Sequence, residues 1–181
     1  MSFHTDEKPL MIKPPEAILR LQAACFIGGV FMTLKTCTFF GHRDTPDSIR
    51  PVLHNTLINL IETQGTDTFY VGNQGKFDSM VHSELKELSK AYPHIRYSVV
   101  LAYLPKKKDF DLTDFSDTVY PDGLENVPPR FAIDKRNRLM LDWADVVITY
   151  VCTSIGGAAK FKALAEKSKT GDKSFPAMIN K

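Results

Sequence analysis

The chain has 181 residues, 43% apolar and 24% charged, with a net charge of +2. That is the size of one ordinary globular domain, able to bury a core without disulfides, and its charge is too small to argue for a nucleic-acid footprint. The three cysteines, Cys25, Cys37 and Cys152, are far apart and show no CxxC spacing, so neither a disulfide framework nor a zinc site is expected and a reducing, cytoplasmic compartment fits.

Taken in chain order, residues 1–16 are polar and hold Pro9, Pro14 and Pro15, a disordered composition. Residues 18–31 are more apolar, but Arg20 and Gln22 interrupt them, and the run is too short to span a bilayer. No small-x-small cleavage site follows, so residues 1–31 read as an extension or loosely packed arm rather than a signal peptide, ahead of a domain at 32–181.

From residue 35 onward, strands and helices alternate. Residues 35–40 (KTCTFF) are β-prone and end at Gly41. Ile49, Val52, Leu53, Leu57, Leu60 and Ile61 make a helical stripe over 47–64, with Thr45 or Asp47 as cap, Pro51 near the first turn and Gly65 as the stop. Residues 67–71 (DTFYV) form a second strand, and Phe77, Met80, Val81, Leu85 and Leu88 a second helical stripe that Pro93 ends. Residues 96–104 (RYSVVLAYL) are almost continuously apolar, as suits a central strand covered on both faces.

Residues 106–129 read as a long irregular loop, a length that is usually functional or mobile. A helix over 130–143, a strand over 146–152, a helix over 156–169 and an edge strand over 174–180 complete the series. Cys37 and Cys152 fall within strand-like runs and are expected in the core. The alternation predicts one α/β domain: a Rossmann-like open parallel sheet of about five strands with helices on both faces.

In open parallel sheets, ligands bind outside the carboxyl ends of the strands. Three of the four central strand ends carry glycine: Gly41-His42-Arg43, Gly72-Asn73-Gln74-Gly75 and Thr153-Ser154-Ile155-Gly156-Gly157. Glycine permits close backbone approach, and a helix N-terminus favours an anion. Thr153, Ser154 and the amides after Gly156 would therefore cradle a phosphate. There is no GxxxxGK[ST] and no GxGxxG after the first strand, which argues against a P-loop ATPase and an NAD dehydrogenase. No histidine or carboxylate spacing suggests a metal, and no cofactor is expected. Structural alternatives stand beside these readings. Gly41 could serve only a tight turn, Asp78 could be a helix cap, and Arg136 and Asn137 could belong to a solvated basic helix face. His54, His82 and His94 read as surface or packing residues.

The run Thr38-Phe39-Phe40-Gly41-His42-Arg43 resembles the opening of the SLOG superfamily, in particular a bacterial branch long labelled as a domain of unknown function. The similarity continues through residues 67–75 (DTFYVGNQG), Phe77-Asp78, Pro129-Arg130-Phe131-Ala132-Ile133, Arg136-Asn137, Met140, residues 145–150 and Gly156-Gly157-Ala158. It implies a Rossmannoid fold related to the Lonely Guy phosphoribohydrolases and to DNA-processing protein A, binding nucleotides or nucleotide-derived ligands. The Lonely Guy pattern is P-G-G-x-G-T-x-x-E, preceded by R-K-x-x-M. Here Arg136, Met140, Gly156 and Gly157 are kept, while Lys160 stands at the threonine position and Ala163 at the glutamate. Alanine can neither donate a proton nor stabilise developing positive charge. Glu166 lies about one turn further on, over 4 Å away along a helix axis.

The resulting expectation is a nucleotide-binding or sensing domain without strong catalysis. Gly41, His42, Arg43, Gly72, Asn73, Gly75, Arg136, Asn137, Thr153, Ser154, Gly156, Gly157 and Lys160 are its candidate ligand-binding residues. The alternatives are an N-glycosidic hydrolase of nucleoside monophosphates, with His42, Asp78 or Glu166 as acid or base, and single-strand nucleic-acid binding, for which the basic run at 106–108 is the sole support. The resemblance also suggests a homodimer through helices, and a stand-alone sensor would need a separate effector protein. No membrane partner is expected.

Overall fold

A computed structural model describes residues 24–27, 30–105 and 116–167. Two short strands, β1 (Ala24–Ile27) and β2 (Val30–Thr33), pair as an antiparallel hairpin. The main sheet is parallel. Its strands are β3 (Lys35–Gly41), β4 (Thr66–Val71), β5 (Arg96–Val100), β6 (Thr118–Val119) and β7 (Val146–Tyr150), in the spatial order β6-β5-β4-β3-β7. The helices are α1 (Arg50–Gln64), α2 (Lys76–Ala91), α3 (Pro129–Trp143) and α4 (Gly157–Lys167).

Strand periodicity explains the three layers. Along β3, Cys37 and Phe39 face one side and Phe40 the other, because successive side chains alternate across a sheet. On the first face, Cys37, Phe39, Phe69, Val71 and Ile148 pack against the apolar stripes of α1 and α2. On the second, Phe40, Val100 and Val147 meet Met140 and Leu141 of α3 and Phe161 and Ala165 of α4. Both faces are covered, which is why β7 is buried at every position. Thr38 is fully buried on the central strand, and its hydroxyl donates to the Tyr70 carbonyl at 3.0 Å.

The expected α/β sheet with helices on both faces is thus present, with several differences in detail. Gly65 closes α1 in the left-handed region at φ 68°, as expected. Neither Thr45 nor Asp47 caps that helix. Thr45 Oγ1 donates to the His42 carbonyl at 2.7 Å, while Asp47 pairs with Lys76 at 2.7 Å. β5 stops at Val100, four residues before the apolar run ends, and Tyr103 and Leu104 are exposed. The fifth strand of the sheet is β6, which lies inside the stretch expected to be irregular. Its placement comes from Val99 and Leu101, whose amides donate to Asp117 and Val119 at 2.8 Å each. Residues 174–180, expected as an edge strand, lie outside the described residues. Cys37 is buried as expected, but Cys152 is exposed because β7 ends two residues before it. Among the described residues no helix is long and apolar enough to cross a membrane.

Candidate functional site

The chain runs outward from β3 through β4 and β5 to β6, then returns to lay β7 on the other side of β3. That reversal opens a crevice at the carboxyl ends of β3 and β7, the place where such sheets hold ligands. A cavity of about 280 Å³ occupies it. The loops after β3 and β4, the starts of α2 and α4 and the middle of α3 supply its walls.

The loop after β3 is shaped by close approaches. A Cβ on Gly41 would lie 2.2 Å from the Phe77 ring, so glycine here lets the first turn of α2 seat against β3. The Arg43 carbonyl accepts the Lys76 amide at 2.9 Å and anchors that turn. Gly75 has φ +115°, and a Cβ on it would come 2.8 Å from the Arg43 Cα. Only glycine suits that combination of dihedral and contact. His42 bridges the switch point: its Nε2 accepts the Thr153 amide at 3.3 Å, with Thr153 Oγ1 3.4 Å away. Accepting at Nε2 requires the tautomer with its proton on Nδ1.

The floor of the cavity is charged. Arg136, from the middle of α3, is only 1% exposed, and its Nη1 donates to the Val100 carbonyl at 2.8 Å. Its Nε has no hydrogen-bond partner among the described residues. Such an orphan donor is costly unless a further group meets it. Asp78, in the first turn of α2, is 8% exposed and accepts the Gln74 amide on Oδ2 at 2.8 Å. Burial pushes its carboxyl up to about 6, against the opposing pull of the Gln74 amide and the Arg136 charge. Burial likewise lowers the Arg136 pKa, with Asp78 opposing. Both side chains crowd onto Gly72, where a Cβ would lie 2.3 Å from Asp78 Oδ2 and 2.7 Å from Arg136 Nη1. Gly72 is therefore the gap through which a buried carboxylate and a buried guanidinium reach one space.

The N-terminus of α4, the neighbour of α3 on the same face of the sheet, forms another wall through Gly157 and Ala158. No atom lies within 4 Å of a Cβ built on Gly156 or Gly157, and Gly156 holds φ +108°. The first amides of a helix have no partner within it, so this open helix end presents donors to the cavity together with the favourable end of the helix dipole.

Of the expected ligand residues, Gly41, His42, Arg43, Gly72, Arg136, Asn137 and Gly157 line the cavity, as does the acid–base candidate Asp78. Gly75 shapes the cavity from behind, and Thr153 acts through His42. Asn73 and Ser154 are exposed outside the lining. Lys160 also lies outside it, bonding Asp134 on α3 instead. Glu166 is exposed in the last turn of α4, away from the cavity. Arg136 does not belong to a solvated basic face; Arg138 beside it does. Gln74, Ile133 and Ala158 also line the cavity; they stand in the motifs quoted from the sequence but were not among its candidate ligand-binding residues. Ile133 carries no chemical signal, although its place one turn before Arg136 and Asn137 puts it on their side of α3. Among the described residues no group of three His, Cys, Asp or Glu could hold a metal. The chain matches no protein-family model and no curated protein.

Proposed function

We propose that this protein binds or senses a nucleotide or nucleotide-derived ligand in the β3/β7 crevice, without strong catalysis. One observation carries the reading. A fully buried arginine with an unpartnered Nε lines a cavity at the topological switch point, which an open helix N-terminus also lines. Both groups favour an anion. A volume of about 280 Å³ lies at the lower end for small-molecule sites, which suits one mononucleotide-sized ligand and not an enclosed dinucleotide. The resemblance to SLOG proteins points the same way, and Ala163 at the glutamate position of the Lonely Guy pattern argues against their hydrolytic step. The test is thermal denaturation of the whole chain with nucleoside monophosphates, ADP-ribose and cyclic nucleotides, followed by chromatography of each mixture. A raised melting point that is weakened by Arg43→Ala, with the ligand recovered intact, is the expected result. No shift with any of these compounds would sink the reading.

The position of Asp78 favours a second reading as an N-glycosidic hydrolase. Its carboxyl lies in the cavity and is pushed up to about 6, near the working range of a general acid. Free base in the chromatogram, lost in Asp78→Asn, would select that reading.

A further inference from the structure

The nucleotide reading leaves open what the buried carboxylate does beside an anion site, since a carboxylate repels phosphate. We propose that Asp78 reads the sugar: its carboxylate accepts hydrogen bonds from vicinal ribose hydroxyls, so that the site takes ribose phosphates and ribonucleotides in preference to their deoxy counterparts. This rests on the nucleotide reading above and assigns a subsite within it.

Oδ2 of Asp78 is held by the Gln74 amide at 2.8 Å, which fixes the plane of the carboxylate. Oδ1 has no hydrogen-bond partner among the described residues, and the side chain lines the cavity. An ionised carboxylate only accepts, whereas a guanidinium only donates. Asp78 and Arg136 meet over Gly72 through Oδ2 and Nη1, and both side chains line the cavity, so an acceptor and a donor stand side by side at its floor. A hydroxyl is the simple ligand group that can donate to the first and accept from the second. A vicinal diol does so twice. A bare phosphate satisfies the arginine alone, and a planar base edge would have to reach the cavity floor past the loops. The open N-terminus of α4, which also lines the cavity, remains for the phosphate. The sugar then sits on the floor and the phosphate at the helix end. The other charged or titratable side chains lining it are His42 and Arg43, both on the β3 loop.

The experiment is calorimetric titration of the whole chain with the four nucleoside 5′-monophosphates, their 2′-deoxy counterparts, ribose 5-phosphate and 2-deoxyribose 5-phosphate. The pair of sugar phosphates makes the comparison independent of the base. The expected result is about tenfold or greater preference for the ribo member of each pair that binds, the range of a hydrogen bond to a charged group. Asp78→Asn keeps an acceptor for the Gln74 amide and should reduce that preference to within about threefold. If ribo and deoxy ligands bind the wild-type chain equally, the sugar assignment is overturned while the nucleotide reading stands. If none of these compounds binds, this inference is overturned, and the nucleotide reading is decided by ADP-ribose and the cyclic nucleotides in the thermal test. The wild-type comparison needs no variant, so poor folding of Asp78→Asn would leave the proposal open to refutation.

Discussion

The site depends on one missing carbon. Gly72 lets Asp78 and Arg136 occupy the space that any Cβ would take. Gly72→Ala should therefore destabilise the fold by about 1–3 kcal/mol, the usual cost of overpacking a filled interior. Gly157→Ala is the matched control, because its Cβ would meet nothing within 4 Å. Alanine is a better helix former than glycine, so this variant should be neutral or stabilised by up to about 1 kcal/mol. Urea denaturation of the two variants measures the contrast, and equal losses would contradict the geometry.

Asp78 also gives stability a pH dependence. Its carboxyl titrates near 6 in the folded protein, against about 3.9 in an unfolded chain. The folded state thus holds the proton more tightly. The contribution of this group is fully present below about pH 4 and is lost as pH rises through 6. A gap of that size between the folded and unfolded protein corresponds to roughly 3 kcal/mol. Asp78→Asn should remove that component, so the difference in unfolding free energy between variant and wild type should shift in favour of the variant between pH 4 and pH 7. A difference independent of pH would mean that the carboxyl is not desolvated as described.

At the scale of elements, β6 is the most exposed to loss. It is two residues long, and its neighbourhood is tied down by the Val99 and Leu101 amides and by His82 of α2, whose Nε2 lies 2.7 Å from Asp117 Oδ2. His82→Ala removes the side-chain tie and leaves the backbone bonds. Amide exchange at Val99 and Leu101 should accelerate severalfold, with little change in the global melting point, because local openings draw on a small part of the total stability. The same two positions show why β6 is hard to read in a sequence. A two-residue strand has no period of its own and exists because β5 offers it donors. The longer strands and helices carry their own patterns, alternating or 3.6-fold, and α1, α2 and α3 start and stop within three residues of their expected ends.

For the whole molecule, ligand binding and stability are linked. A ligand at a hundred times its dissociation constant adds about 2.7 kcal/mol to a protein that binds it only when folded. For a domain of this size that corresponds to roughly 5–10 °C in melting temperature. A ribonucleotide bound in the crevice should produce a shift of that order, and Lys160→Met should leave it unchanged, since Lys160 is held by Asp134 outside the cavity. Loss of the shift in that variant would place the phosphate further along α4 than the cavity implies.

The sequence by itself determined the types of the longer elements, the parallel α/β class and the glycine-bearing strand ends, because each is written in local periodicity and in residues that only certain turns accept. It also marked seven of the residues that line the cavity as ligand-binding: Gly41, His42, Arg43, Gly72 and Gly157 from their places at strand ends and a helix start, and Arg136 and Asn137 from the resemblance. The strand order, and with it the switch point between β3 and β7, was decided by tertiary pairing. So was the fate of neighbouring charges on α3: Arg136 turns inward, while Arg138 remains in solvent and bonds Asp134. Nothing local distinguishes two arginines separated by one residue. The face that α3 lays on the sheet does, because it buries whichever side chain lies beneath it and obliges that charge to find partners.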